Sequence, residues 1–282
     1  MPVKIVTDSL ADLPQDVAKS LGIEVVPLFV RFGTEEFKDR VSLSADEFYR
    51  RLLSGQTPST AVPAVGEFVE VYERLANNGD SIVSIHVSSK VSGTFNSAVQ
   101  GAKQASVKCP IEVMDSLQAS IALGLIVMAA AKSAMRGDTH AEVVQVAKGA
   151  MERSQCVTML DTLEYLEKGG RIGKAQALLG SLLSFKPMIG LRDGEVHAFD
   201  RPRTRAKGLA RLRQYAAEWS PAEGYCLMHS TTPDEAQKLL DELRSSISSQ
   251  WPPFVARYGP GLGTYVGPGA LGIAVLRAAR PA

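Results

Sequence analysis

The sequence predicts an α/β protein of two domains, an N-terminal parallel-sheet α/β domain over residues 1–155 and a C-terminal α+β domain over residues 156–282. Three observations support this prediction. Strand-like and helix-like segments alternate through the first half of the chain. In the second half, Asp193 and Gly194 join two strand-like segments, which is a typical hairpin turn. The 282 residues, 45% of them apolar, are enough for one large core or two modest ones.

The elements of the N-terminal half can be assigned in order. VKIVTDS is a short apolar strand, and the next helix has Asp12 as a cap and Pro14 in its first turn. IEVVPLFVRF is predicted as the second strand. A helix follows Ser44, which forms a capping box with Glu47, and ends at Gly55. The later elements are a helix in GEFVEVYERLANNGD, a strand in SIVSIHVS, a helix from Thr94 to Ala105, a strand in IEVMDS and an Ala-rich helix in SIALGLIVMAAAKSAMRGD.

The C-terminal half loses this regular alternation after about Ala141, which favours a different type of sheet. Its predicted elements are a helix leading to the strand VTML, helical stretches in TLEYLEKG and AQALLGSLL, strands in FKPMIGL and EVHAFD, a helix in TRAKGLARLRQYAAEW, a strand in YCLMHS, a helix in TPDEAQKLLDELRSSI, and strands in FVARYG and ALGIAVLRA.

Composition excludes several classes of protein. The 31 basic residues nearly balance the 30 acidic ones, so the chain lacks the positive field that holds nucleic acid. Asp8 interrupts the N-terminal apolar segment too early for a signal peptide, and no apolar run reaches the length of a membrane span. The three cysteines are far apart, which is typical of free thiols. We therefore expect a cytoplasmic protein with no nucleic-acid partner and no stable membrane insertion.

Hydroxyl side chains gather where the strand SIVSIHVS ends and the next helix begins. Ser88, Ser89, Ser92 and Thr94 surround Gly93, which allows a ligand to approach the backbone. Such a cluster either binds an oxyanion or simply caps the helix. A second hydroxyl cluster, QTPSTAVP, and a glycine-rich segment, GPGLGTYVGPGALG, favour the first interpretation. Together the three loops predict the polar rim of a small-molecule pocket.

A series of motifs along nearly the whole chain resembles the DegV family, which includes the fatty-acid-binding (FakB) subunits of bacterial fatty acid kinases. The motifs, in chain order, are IVTDSLADLP, STAVPAVGEF, SSKVSGTFNSA, VMDSLQASIALG, LEYLEKGGRIGKAQALLGSLLSFKPMIGLRDGEV, RPRTRAKG and GTYVGPGALG. The long block around GGRI is the most specific of them.

The resemblance implies a DegV-like fold with a ligand tunnel between the two domains. One long-chain fatty acid would lie in the tunnel, with its carboxylate bound by Thr60, Ser92 and Gly93 of two loops. Two departures from the family pattern stand out. The loop after Thr60 reads AVPA, which is less polar than the family sequence, and Tyr265 replaces the usual histidine. A phenol is a neutral donor at pH 7, so we expect Tyr265 to contribute to carboxylate binding without a charge.

The resemblance also implies a partner, the ATP-dependent subunit of a fatty acid kinase. The matching basic residues are Arg171 of GGRI and Arg203 of the RT pair, which would form a docking face. Lys168, Arg201 and Arg205 could belong to the same docking face, and the alternative is that all five residues form only a solvated positive strip. No Walker loop and no metal-ligand spacing is present in the sequence, so we expect no cofactor and no metal, and ATP chemistry would have to come from a partner. The resemblance implies a lipid-binding protein that is not itself an enzyme.

Apolar residues of the long motif block are candidates for the tunnel wall, although such a stripe is also typical of an ordinary core. The predicted lining residues are Leu182, Leu183, Phe185, Met188 and Ile189.

An alternative function is a serine-dependent hydrolase or phosphotransferase that acts on a small molecule through Ser92. A nucleophilic serine needs a base, and the only suitably placed histidines are His86 and His229. Asp8 and Asp115, at strand ends, could serve catalysis or could cap the following turns; capping is the commoner role of such residues.

Overall fold

The computed structural model of this chain describes residues 2–76, 80–178 and 185–279. Its strands, numbered in chain order, are β1 (Val3–Asp8), β2 (Ile23–Val26), β3 (Phe29–Phe32), β4 (Glu35–Lys38), β5 (Pro58–Ala61), β6 (Ser81–His86), β7 (Ile111–Asp115), β8 (Ser154–Met159), β9 (Met188–Arg192), β10 (Glu195–Asp200), β11 (Ala222–His229), β12 (Phe254–Arg257) and β13 (Leu271–Arg277).

The helices are numbered separately, also in chain order. They are α1 (Gln15–Ser20), α2 (Ala45–Leu53), α3 (Val65–Ala76), α4 (Thr94–Gln104), α5 (Ser120–Met135), α6 (His140–Arg153), α7 (Glu164–Lys168), α8 (Arg205–Glu218), α9 (Pro233–Arg244) and α10 (Pro260–Val266). In the described ranges, every helix is too short or too polar to cross a lipid bilayer.

The first sheet confirms the predicted parallel α/β arrangement. Its order is β2-β1-β6-β7, and each neighbouring pair is parallel. Because side chains alternate along a strand, Val6 of β1 packs with Phe68 and Ala98 of α3 and α4, whereas Ile5 packs on the opposite face with α5. The carboxyl ends of the parallel strands share one edge, so the loops after β1, β6 and β7 lie together there.

The second sheet begins with β8 at Ser154 and has the order β10-β9-β8-β13-β11-β12. It is antiparallel except for the β11–β12 pair. Asp193 and Gly194 form the predicted hairpin turn between β9 and β10, and both have positive φ, at 52° and 82°. This mixed sheet confirms the expected change of sheet type; the domain division at residue 155 stays a prediction.

Three segments differ from the predictions. IEVVPLFVRF forms two strands, β2 and β3, because Pro27 has no N–H and interrupts the ladder. The β3 strand joins a small antiparallel sheet of order β4-β3-β5, so part of QTPSTAVP is the strand β5. GPGLGTYVGPGALG was predicted as a loop, but it contains α10, whose first residue is Pro260.

The predicted helices before β9 are short. TLEYLEKG contains α7, and Gly173–Leu178 form a 3₁₀ helix. The rest of the predicted helix AQALLGSLL lies outside the described residues.

The helix α5 connects the two large sheets. All residues from Ser120 to Ala131 are buried, and the helix contacts β1 and β6 of the first sheet as well as β8, β11 and β13 of the second. Its small side chains allow this close packing: a Cβ atom on Gly124 would lie only 2.7 Å from the Ala11 carbonyl oxygen. One apolar core therefore extends from the first sheet to the second.

Candidate ligand-binding cavity

A cavity lies where α5 and the loops of the first sheet meet the second sheet and α10. The space within it, counted together with the solvent at its open mouth, is about 690 Å³. The wall is almost entirely apolar. Apolar side chains come from both halves of the chain, and they include Leu10, Val87, Val91, Leu166, Ile189, Leu191, Val196, Leu262 and Val266.

Thr60 and Tyr265 form a hydroxyl pair at this cavity. Thr60 is on β5 and Tyr265 is on α10, and their hydroxyl oxygens are 2.5 Å apart. Tyr265 lines the cavity and both residues are half-buried. Each hydroxyl has one proton, and the bond between them uses one of the two. One O–H therefore remains to donate to a ligand.

The Tyr265 ring is held by the GGRI segment. A Cβ atom on Gly169 would lie 2.5 Å from the ring, so only glycine leaves room for the tyrosine here. On the ring, the Arg171 guanidinium lies 5.5 Å from the centroid, a cation–π contact. Arg171 donates hydrogen bonds to the carbonyl oxygens of Gly169 and Val91, at 2.9 and 3.3 Å.

Arg171 also lines the cavity, which sequence analysis did not predict. Its guanidinium contacts the Tyr265 ring, and none of the described carboxylates forms an ion pair with it. The arrangement therefore places a free positive charge beside two hydroxyls at an apolar cavity, which suits an anionic group on an apolar ligand.

Ser92 and Gly93 lie beside the Thr60 segment. A Cβ atom on Gly93 would be 3.6 Å from Val62, which follows β5 directly, so the two predicted hydroxyl loops are in contact. Ser92 Oγ is 2.9 Å from Thr94 Oγ1 and accepts a hydrogen bond from the Thr94 N–H at 3.3 Å. Ser92 thus accepts a hydrogen bond from the first residue of α4, whose N-cap is Gly93, and is next to the cavity residue Val91 in the chain.

The apolar residues predicted to line the tunnel do not all lie at the cavity. Ile189 lines the cavity. Met188, its neighbour on β9, points to the opposite face of the sheet and packs with Leu212 of α8, because side chains alternate along a strand. Phe185 is half-buried and is not part of the described cavity wall. Leu182 and Leu183 lie outside the described residues.

The other predicted basic residues lie away from the cavity wall. Arg203 is exposed before α8 and has no ion pair with any described residue. Arg205 instead pairs with Glu235 and Asp161, and Lys168 pairs with Glu164. Lys168 and Arg205 are therefore neutralised by acidic neighbours, whereas Arg171 and Arg203 form no ion pair with any described residue.

Four polar residues of the cavity wall were missed by sequence analysis. Ser120 begins α5, Cys156 and Thr158 are on β8, and Tyr258 follows β12. The two β8 residues share a face because they are two positions apart, and this spacing was the available signal. Burial raises the pKa of the Cys156 thiol to about 12, so this thiol is protonated at neutral pH.

The predicted base His86 is engaged in a buried network. Its Nδ1 atom is 2.9 Å from Asp8 Oδ2, its Nε2 atom is 2.7 Å from Ser84 Oγ, and Tyr72 completes the chain at 2.9 Å from Ser84. The network resembles a catalytic triad in composition, but its members Asp8, Ser84 and His86 are fully buried, so no substrate can reach the serine.

The other residues considered for hydrolysis do not form a catalytic arrangement either. None of the described histidines hydrogen-bonds Ser92. Burial lowers the pKa of His229. Asp8 accepts hydrogen bonds from the N–H groups of Leu10 and Val87, and Asp115 from those of Ser89 and Leu117, so both carboxylates organise turns.

Fold and cavity define a class, an α/β protein with two large sheets and an apolar pocket between them. The comparison with known proteins specifies the family. The family model described as "Uncharacterised protein, DegV family" matches residues 2–278, and the chain belongs to the DegV family. It is 37% identical to a DegV domain-containing protein of Streptomyces coelicolor over 277 residues, which is 97% of this chain and 98% of the relative.

Solved structures show the same fold. A DegV family protein from Thermus thermophilus, described for its fatty acid binding, is 30% identical and superposes with a TM-score of 0.91, covering 99% of this chain and 100% of its own. DegV of Bacillus subtilis, described as a fatty acid binding protein, is 29% identical with a TM-score of 0.87, covering 98% and 100%.

Proposed function

We propose that this protein binds one long-chain fatty acid, with the acyl chain in the apolar cavity and the carboxylate at Thr60 and Tyr265. The observation that carries the proposal is that Tyr265, hydrogen-bonded to Thr60, lines a cavity whose wall is mostly apolar. The fatty acid binding described for the Thermus and Bacillus relatives supports it.

The polar groups suit a carboxylate. The Thr60–Tyr265 pair leaves one O–H to donate, and the Ser92–Thr94 pair in the adjacent loop leaves another by the same count. Arg171 contributes its positive charge at the Tyr265 ring. Hydrogen bonds and a nearby cation both favour the ionised form, so the carboxylate stays charged at neutral pH.

The apolar wall suits the acyl chain. Each methylene group transferred from water contributes about 0.8 kcal/mol, so a chain of sixteen carbons offers on the order of 10 kcal/mol before its ordering cost. Binding of this strength does not need a metal or a cofactor.

A more specific part of the proposal is that the protein presents the carboxylate to the ATP-dependent subunit of a fatty acid kinase. Arg171 lies against the Tyr265 ring and Arg203 is exposed and free of described ion pairs, so both are able to contact a partner or its nucleotide phosphates. The family resemblance of the GGRI and RT motifs supports these roles.

Mass spectrometry of lipid extracted from the purified protein tests the proposal. We expect long-chain fatty acid in near-equal molar amount to protein, and delipidated protein should bind added hexadecanoic acid. Protein that carries no lipid and fails to bind hexadecanoic acid would refute it. Release of fatty acid from an acyl ester by the delipidated protein would instead favour the hydrolase.

A further inference from the structure

The cavity wall contains hydroxyl groups that a plain hydrocarbon chain does not use. Thr158 and Tyr258 are 6% and 1% exposed, and both line the cavity together with Ser120. The carboxylate proposed above is already served by Thr60 and Tyr265. A second polar group in a wall made for an acyl chain therefore calls for a separate explanation.

Thr158 and Tyr258 leave one hydrogen-bond donor over. Their hydroxyl oxygens are 2.6 Å apart, and this bond uses one of their two protons. Burial raises the pKa of Tyr258, so the phenol keeps its proton.

Ser120 is oriented as an acceptor. Its hydroxyl donates to Asp12 Oδ2 at 2.8 Å and lies 3.0 Å from Met228 Sδ, so its proton is committed away from a ligand. Asp12 is itself held in place, because its other oxygen accepts hydrogen bonds from Arg40 at 2.7 Å and from the Gly259 N–H at 2.9 Å. Because this proton is directed to Asp12, the Ser120 oxygen is able to act toward a ligand only as an acceptor.

One donor and one acceptor in the same wall match an alcohol, which both accepts and donates. A carbonyl group would satisfy only the donor, and a methylene group neither. A buried polar group without a partner disfavours the ligand that leaves it unpaired, which is how a site discriminates for a hydroxyl.

We propose that this cavity selects fatty acids that carry a hydroxyl group on the acyl chain, with the hydroxyl bound by Ser120 and the Thr158–Tyr258 pair. The inference rests on the fatty acid binding proposed above and names the substrate class within it. Hydroxylated acids should bind about tenfold more tightly than the parent acid when the hydroxyl is at the matching carbon.

The test is a set of affinities measured on the delipidated full chain. The probes are octadecanoic acid and a positional series of monohydroxy-octadecanoic acids, measured by calorimetry or by displacement of a fluorescent fatty acid. Thr158→Val and Tyr258→Phe remove one hydroxyl each with little change of shape. Tyr225→Phe is the matched control, because the Tyr225 hydroxyl is also buried but lies outside the cavity wall.

We expect at least one positional isomer to bind about tenfold more tightly than octadecanoic acid in the wild type and in Tyr225→Phe. In Thr158→Val and Tyr258→Phe this preference should fall to twofold or less, with octadecanoic acid bound as well as before or better. Equal affinity for all isomers and the parent acid, or a preference that survives in both cavity variants, would overturn the inference while leaving fatty acid binding intact. Failure of every acid to bind would overturn both proposals.

Discussion

The hydroxyl oxygens of Thr60 and Tyr265 are 2.5 Å apart, although the two residues are separated by 205 positions in the chain. The contact joins β5 of the small sheet to α10, and α10 also packs against α2 and α7. The pair thereby ties the first half of the chain to the second at the cavity.

Removing either hydroxyl of the pair should weaken fatty acid binding. We expect Thr60→Val and Tyr265→Phe each to raise the Kd for hexadecanoic acid about tenfold, since each change removes a hydrogen bond to a charged group, about 1–2 kcal/mol. The double variant should cost much less than the sum, because the two hydroxyls act as one donor. Calorimetric titration of the four proteins measures this; unchanged affinity in both single variants would remove the pair from the site.

Gly169→Ala should disturb Tyr265 without touching its hydroxyl. The added methyl group would lie 2.5 Å from the ring, so the ring must move and the Thr60 contact must lengthen. We expect a loss of hexadecanoic acid affinity comparable to that of Tyr265→Phe. Gly149→Ala on α6 is the control, since nothing lies within 4 Å of its added methyl group, and it should keep full affinity. Equal affinity in both variants would contradict the packing argument.

Arg171 and Arg203 should differ in their effect on the lipid. Arg171 lines the cavity whereas Arg203 is exposed, so Arg171→Ala should weaken hexadecanoic acid binding severalfold and Arg203→Ala should leave it unchanged. With a fatty acid kinase subunit and ATP added, both variants should form acyl phosphate more slowly than the wild type. Binding assays and a phosphorylation assay separate the two roles, and normal phosphorylation by Arg203→Ala would argue against a docking function for that residue.

We expect the protein to become less stable as the pH rises from about 4 to about 6, because of the buried carboxyl group of Asp39. Burial raises the pKa of Asp39 from 3.8 to about 6, and its Oδ1 atom has no described hydrogen-bond partner. Between these two pH values the unfolded chain has released this proton and the folded protein still holds it. The free energy of unfolding therefore falls across that window, by on the order of 3 kcal/mol for this group.

The variant Asp39→Asn isolates this contribution. Urea unfolding at pH 4, 5, 6 and 8 should show that the stability of the wild type relative to Asp39→Asn declines from pH 4 to pH 6 and is level above. Asp12, whose pKa burial also raises, remains in both proteins, so its effect cancels to first order in the comparison. A difference that grows with pH would reverse the sign and contradict the assignment.

Local patterns in the sequence determined most of the secondary structure and the fold class. Strands β1, β6 and β7 of the first sheet, the Asp193–Gly194 turn and the helix after Ser44 depend on neighbouring residues, and all are present as predicted. The break at Pro27 was also a local signal, although the sequence analysis did not use it. The motifs around Thr60, Ser92 and Arg171 indicated the family and a polar rim, because motif residues are recognisable without their partners.

Only the tertiary structure decided which of these residues meet. Nothing near Thr60 in sequence indicates Tyr265, and nothing near Thr158 indicates Tyr258 or Ser120, since these residues come from segments that are far apart in the chain. The choice between Met188 and Ile189 depended on which face of β9 turns to α8 and which to the cavity. An apolar residue suits either environment equally, because burial of apolar area has no direction, so the cavity wall is determined by how the sheets pack.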